Sequence, residues 1–123
     1  LGAFAMEQGK LEAGLRHVQQ AAQLAQANGF SSLMVICVVL YGDYLARSGS
    51  AERGLEVIGT ALTHPSADFN AHFWADRILP RLQAELGDAG IEASLKRGAE
   101  LDFGGIVTAL LTGEPGRPTV STG

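Results

Sequence analysis

Nine apolar residues run without a break from Leu33 to Tyr41, LMVICVVLY. A buried strand and the middle of a buried helix both read this way. The continuation GDYLARSG, a polar-apolar mixture ending in a helix-stopping Gly, favours a helix. That helix, capped by Ser31 or Ser32 and running to about Arg47, should be covered on most of its circumference. Before it, Leu11, Leu15, Val18, Ala22 and Ala25 line one face of a helix over 10–28, which Asn28-Gly29 ends. After it, Leu55, Ile58 and Leu62 mark a helix over 51–63, broken at His64-Pro65. The spacing then predicts a helix over 67–86. Its apolar face is Phe69, Phe73, Trp74, Ile78, Leu79, Leu82 and Leu86, and Pro80 should kink or split it. Short helices capped by Asp88 (89–98) and Asp102 (103–111) follow. Residues 1–8 read as the end of a leading helix. The GEPGRPTVSTG tail has no apolar pattern and is expected to be disordered.

The first half repeats with a shift of 40 residues: Gly2 falls on Gly42, Gly9 on Gly49, Gly14 on Gly54, Leu15 on Leu55, Val18 on Ile58 and Ala21 on Ala61. A glycine inside a helix costs about 1 kcal/mol relative to alanine. Its recurrence implies close backbone approach, with Gly42 of one helix against Gly54 and Ala61 of the next. Gly49 would turn the chain between them, with Ser50 as N-cap and Glu52 in the first turn facing the helix dipole.

The spacing of Gly42, Gly54 and Ala61, with Tyr41 and Leu45 beside them, resembles the small-residue signature of the tetratricopeptide repeat. Gly2, Gly14 and Ala21 repeat it, although the period here is longer than that family's 34 residues. The longer period is similar to that of the helical arrays of large bacterial transcriptional regulators and signalling ATPases. The ending, with its Arg97-Gly98 pair before a last helix, resembles the C-terminal cap of such sensor regions. The resemblance implies an all-α fold of antiparallel helix hairpins stacked as a right-handed superhelix. About two repeats (1–65) would be followed by a degenerate repeat or cap (66–112), in one domain spanning 1–112, with a tail at 113–123. It also implies that leading helices line a concave groove. Carried over by register, that groove takes Met6, Glu7, Val39, Asp43 and Arg47, with Ala3 and Ala46 beside them, and His72, Asp76 and Gln83 from the third leading helix.

Composition narrows the function. Apolar residues make up 46% and charged residues 18%, which suits a packed domain. The net charge is −4 and the basic residues are scattered, so no patch for direct nucleic-acid binding is expected. The single cysteine, Cys37, lies in the apolar run and reads as a small buried hydrophobe. No apolar stretch approaches the ~20 residues that span a bilayer. The chain begins Leu-Gly without Met or a signal peptide, and is expected to be a piece of a longer, cytoplasmic protein.

His72 and Asp76 share a helix face, but a metal needs further ligands and none stands at matching spacing. His17 and His64 read as a solvated and a loop residue. Ser31 and Ser32 lack a nucleophile-elbow setting, and no phosphate-cradling loop is present. No catalytic site or cofactor is expected. The reading is a module for binding a protein or peptide, or for self-association into a homodimer, either through the exposed apolar side of Leu1 and Phe4 or through Phe69, Phe73 and Trp74. The alternative is a small-molecule-sensing domain that regulates an attached effector.

Overall fold

A computed structural model describes residues 10–112. The expected helix over 1–8, with the groove candidates Ala3, Met6 and Glu7, lies outside the described residues, as does the tail from 113. The described residues are all-helical: α1 (Leu11–Asn28), α2 (Ser31–Arg47), α3 (Ala51–Leu62), α4 (Phe69–Gly98) and α5 (Phe103–Thr112).

Short turns make neighbouring helices antiparallel. Gly29 closes α1 in the left-handed conformation at φ 69°, its N–H donating to Ala25 O, and Gly49 turns α2 into α3 at φ 104°. The serines expected as caps do less than their positions suggest. Phe30 occupies the N-cap of α2, Ser31 is already helical, and Ser50 at the α3 N-cap makes no side-chain capping bond. Aspartates cap instead. Asp68 Oδ1 accepts from the N–H groups of Asn70 (3.0 Å) and Ala71 (3.2 Å), so α4 begins at Phe69 rather than 67. Asp102 Oδ2 accepts from Gly105 N–H at 2.9 Å at the start of α5, as expected.

The Gly42–Gly54 contact forms as the repeat implied, with Ile58 beside Gly42 where Ala61 was expected. A Cβ built on Gly42 would lie 2.6 Å from Ile58 Cγ1 and 2.7 Å from Gly54 O, and one on Gly54 would overlap Gly42 O. These two positions bring α2 and α3 to backbone contact. A second seam, absent from the sequence reading, joins α3 to the end of α4. There Gly59 meets the Leu95 backbone and Gly98 meets that of Glu56, and the Thr60 hydroxyl donates to Gly98 O at 2.6 Å. Arg97 adds a 3.1 Å bond to Glu56.

Helix α2 is the axis of the molecule. It packs against α1, α3, α4 and α5, whereas α1 and α3 do not touch each other. Helix α5 touches α1, α2 and α3, so it lies across the furrow that α2 floors. Ile106 and Leu110 are its buried side, and Gln19 Nε2 ties α1 to Leu110 O at 2.9 Å. Val35, Val38 and Val39 are fully buried in consequence. Covering on every side is what an unbroken apolar run requires.

Helix α4 continues through Pro80. Its backbone leaves helical geometry only at Gly87 (φ 75°, ψ 167°), where the expected boundary between 67–86 and 89–98 falls. Pro80 is exposed, so the carbonyl left without an N–H partner lies on the solvent side, open to water. Asp88 does not act as a simple cap, since its carboxylate accepts from the Gln83 side chain across the break.

Candidate interaction surface

The first half of α4 presents two faces of opposite character. Ala71, Ala75, Ile78 and Leu82 recur at i, i+4, i+7 and i+11 and are buried against the core. Trp74, Leu79 and Leu86 flank them, half-buried. Two alanines on this face let α4 approach closely. Phe69 and Phe73, expected on the core face, point away from it. Phe69 is 78% exposed and Phe73 45%. The outward strip is Phe69, Phe73, Pro80 and Ala84, with His72, Asp76 and Gln83 on one flank and Asn70 and Arg77 on the other.

The aromatic groups on this strip are ordered against one another. The Phe69 and Phe73 rings lie 6.3 Å apart, and Phe73 meets Trp74 edge to face at 5.5 Å. The Arg77 guanidinium lies 5.9 Å from the Phe73 centroid and 5.6 Å from that of Trp74. Cation–π stacking at this range favours the cation over the rings by about 0.5–1 kcal/mol at an exposed site. The product is an aromatic ridge with a preset charge, on a helix capped at its start by Asp68. Ridges of this composition, rich in Phe, Trp and Arg, are what binding hot spots are made of. Arg77 and Pro80 were missed as partners of the aromatic residues, although Arg77 stands one helical turn beyond Phe73.

The groove carried over from the repeat register is not a surface at its centre. Val39 is fully buried, Ala46 is buried, and Asp43 is 3% exposed. The helices packed around α2 remove them from solvent, α3 at Ala46 and α4, through Arg81, at Asp43. Asp43 is instead the hub of an ion cluster. Both its oxygens accept from Arg47 Nε, at 3.0 and 3.1 Å, and Oδ1 also accepts from Arg81 at 2.5 Å. The cluster clamps α2 to α4 and satisfies a carboxylate that would be costly to bury alone. Arg47 is half-buried within it. Of the groove candidates, His72 and Asp76 are exposed, on the flank of the aromatic strip.

Other features offer less. A cleft of about 170 Å³ at the α1–α2 turn is lined by Phe30, Met34, His64 and Phe103 among others. His64 stacks on Phe103 at 4.3 Å, and its Nδ1 accepts from Ser66 N–H at 3.0 Å. Ligand pockets usually enclose roughly 300–1,000 Å³, so this cleft suits at most a fragment-sized guest. Burial pushes the Cys37 thiol up to about 11, which keeps it protonated and unreactive. Among the described residues no three His, Cys, Asp or Glu side chains gather to hold a metal, and no helix is long and apolar enough to cross a membrane. Comparison with known families, curated proteins and solved structures returns no match.

Proposed function

We propose that this chain is a protein-interaction module and that the outward strip of α4 is its binding surface. The observation that carries the reading is the exposure of Phe69 and Phe73 beside an Arg77 already stacked on Phe73 and Trp74, on the opposite side of the helix from its packed face. An aromatic pair left in water on a chain with a full core elsewhere costs solvation and is most simply retained for a partner. The partner is a protein or peptide. The acidic net charge gives no reason to invoke nucleic acid, and the module carries no chemistry or cofactor of its own.

The hairpin succession α1 to α4 and the Gly42–Gly54 seam support a tetratricopeptide-like right-handed stack, with α5 as its cap. On that reading the chain works inside a larger bacterial transcriptional regulator or signalling protein in the cytoplasm. DNA binding or nucleotide hydrolysis would then belong to other parts of the parent protein. The small-molecule alternative is supported less well, because the cleft beside His64 holds only about 170 Å³ and the larger one, about 490 Å³ between Leu11, Arg16, Tyr44 and Ser48, is open to solvent.

The test is a selection of displayed random peptides against the protein and against its Phe69→Asp/Phe73→Asp variant. Peptides that bind the first and not the second are expected. A selection that yields only binders indifferent to both substitutions would overturn the reading.

A further inference from the structure

We propose that the occupant of this strip is a second copy of the same chain, with the two α4 helices antiparallel about a two-fold axis near Trp74. The inference rests on the reading of the strip as an interaction surface and goes beyond it by naming the partner and the register.

The strip is complementary to itself in shape. Its bulky residues, Phe69 and Phe73, stand at the N-terminal end, and its flat ones, Pro80 and Ala84, at the C-terminal end. A parallel pairing would set Phe against Phe and Pro against Pro. An antiparallel pairing centred near residue 74 lays Phe69 on Pro80 of the second copy, and the reverse. Phe69 then packs on a flat ring at both ends, and the two Phe73 rings meet beside the axis. Pro80 suits this position because it offers a flat apolar ring and no N–H to be buried.

The strip is also complementary to itself in its polar flanks. A two-fold axis perpendicular to antiparallel helices brings each flank against the same flank of the other copy, so a self-complementary surface pairs residue i with j and j with i. On one flank His72 then faces Asp76 of the second copy, twice. On the other, Arg77 lies against Asn70 and Trp74, extending the stacking it already makes within its own chain. The register sets neither Arg77 against Arg77 nor His72 against His72, and the two Asp76 carboxylates, which come within one turn of each other, each face a His72. About three turns of one helix face bury less than the roughly 1,200 Å² of a stable interface. The association is therefore a reversible equilibrium visible only as concentration rises.

Sedimentation equilibrium over a concentration series tests the proposal, with circular dichroism to confirm that each variant folds. These substitutions are at exposed positions. The unaltered chain is expected to rise from monomer to dimer mass, and Phe73→Asp to remain monomeric. His72→Asp, which places four carboxylates on the shared flank, should weaken the dimer about tenfold at low salt. His72→Lys/Asp76→Lys, which places four ammonium groups there, should do the same. An equimolar mixture of these two variants should recover dimer mass, because acid then faces base. A monomer at every concentration overturns the proposal, and the interaction reading survives it if displayed peptides still depend on Phe69 and Phe73. If no such peptides are found either, both fail. A dimer insensitive to Phe73→Asp overturns the strip as the self-association surface. Tighter association of His72→Asp overturns the antiparallel arrangement, since it would mean that this flank meets the one bearing Arg77.

Discussion

Replacing Gly54 by alanine tests the close approach on which the helix stack depends. The added methyl would overlap Gly42 O and lie 2.9 Å from Ala46 N and 3.0 Å from Ala46 Cβ. Comfortable separation between non-bonded carbon atoms is about 3.5–4.0 Å. The obstructing atoms are mostly backbone, so no side-chain rotation relieves the overlap and α2 and α3 must part. Parting loosens the packing of Leu55, Ile58 and Val38, each fully buried. Over-packing of this kind costs about 1–3 kcal/mol, against which alanine returns up to about 1 kcal/mol of helix propensity. The net expectation is a loss of about 1–2 kcal/mol, or about 5–10 °C in Tm for a chain near 100 residues. Urea unfolding followed by circular dichroism measures it. Gly42→Ala meets the same seam from the other side, so the double variant should lose less than the sum of the singles, because one separation accommodates both methyls. Gly104→Ala is the control. Its methyl would meet nothing nearer than Asp102 Oδ2 at 3.7 Å, and a gain of roughly 0.5 kcal/mol is expected from propensity alone. A Gly54→Ala protein more stable than its parent would refute the reasoning.

Three further outcomes follow from the packing and the buried groups. Asp43→Ala should destabilise by about 1–3 kcal/mol in urea unfolding, because it removes charge-assisted bonds to two arginines. Arg81→Ala should cost less than about 1 kcal/mol, since Arg47 still holds the carboxylate. Thr60→Val should cost about 0.5–1.5 kcal/mol by removing one of the two donors to the buried Gly98 carbonyl, the Leu101 N–H remaining at 3.0 Å. Above pH 9 the unfolded chain ionises Cys37 while the folded chain holds its thiol neutral up to about 11. The thiol's contribution is thus whole below pH 9 and is lost between pH 9 and 11, by roughly 3 kcal/mol. Cys37→Ala should flatten the stability profile in that window relative to the parent chain.

How much of this was legible in sequence depends on how far apart the interacting residues lie. The first three helices and the Gly42–Gly54 seam were readable, because a glycine inside an apolar helix needs a reason and the 40-residue repeat supplied its partner. The Gly59–Gly98 seam was not, because Gly98 comes from a helix outside the repeat. The groove placement of Val39 conflicted with the sequence itself. A residue in the middle of nine consecutive apolar positions needs cover on its own side too, and α4 and α5 provide it around α2. Asp43 reads as exposed until Arg81, 38 positions away, is brought to it by the α2–α4 crossing. In α4 two apolar phases compete. The larger residues Phe69 and Phe73 suggested the core face, but the contact needed the smaller Ala71 and Ala75.

Trp74, the chain's one tryptophan, stands beside the strip proposed to bind and reports on it directly. The decisive measurement is quenching of its fluorescence by acrylamide, a neutral quencher that Arg77 neither attracts nor repels. Dilute and concentrated protein are compared, with and without a selected peptide. The account predicts partial quenching of the half-buried ring in dilute protein and less when the protein is concentrated or the peptide is added, the difference being abolished by Phe73→Asp. Quenching that is the same in every condition would contradict the claim that this face of α4 receives a partner.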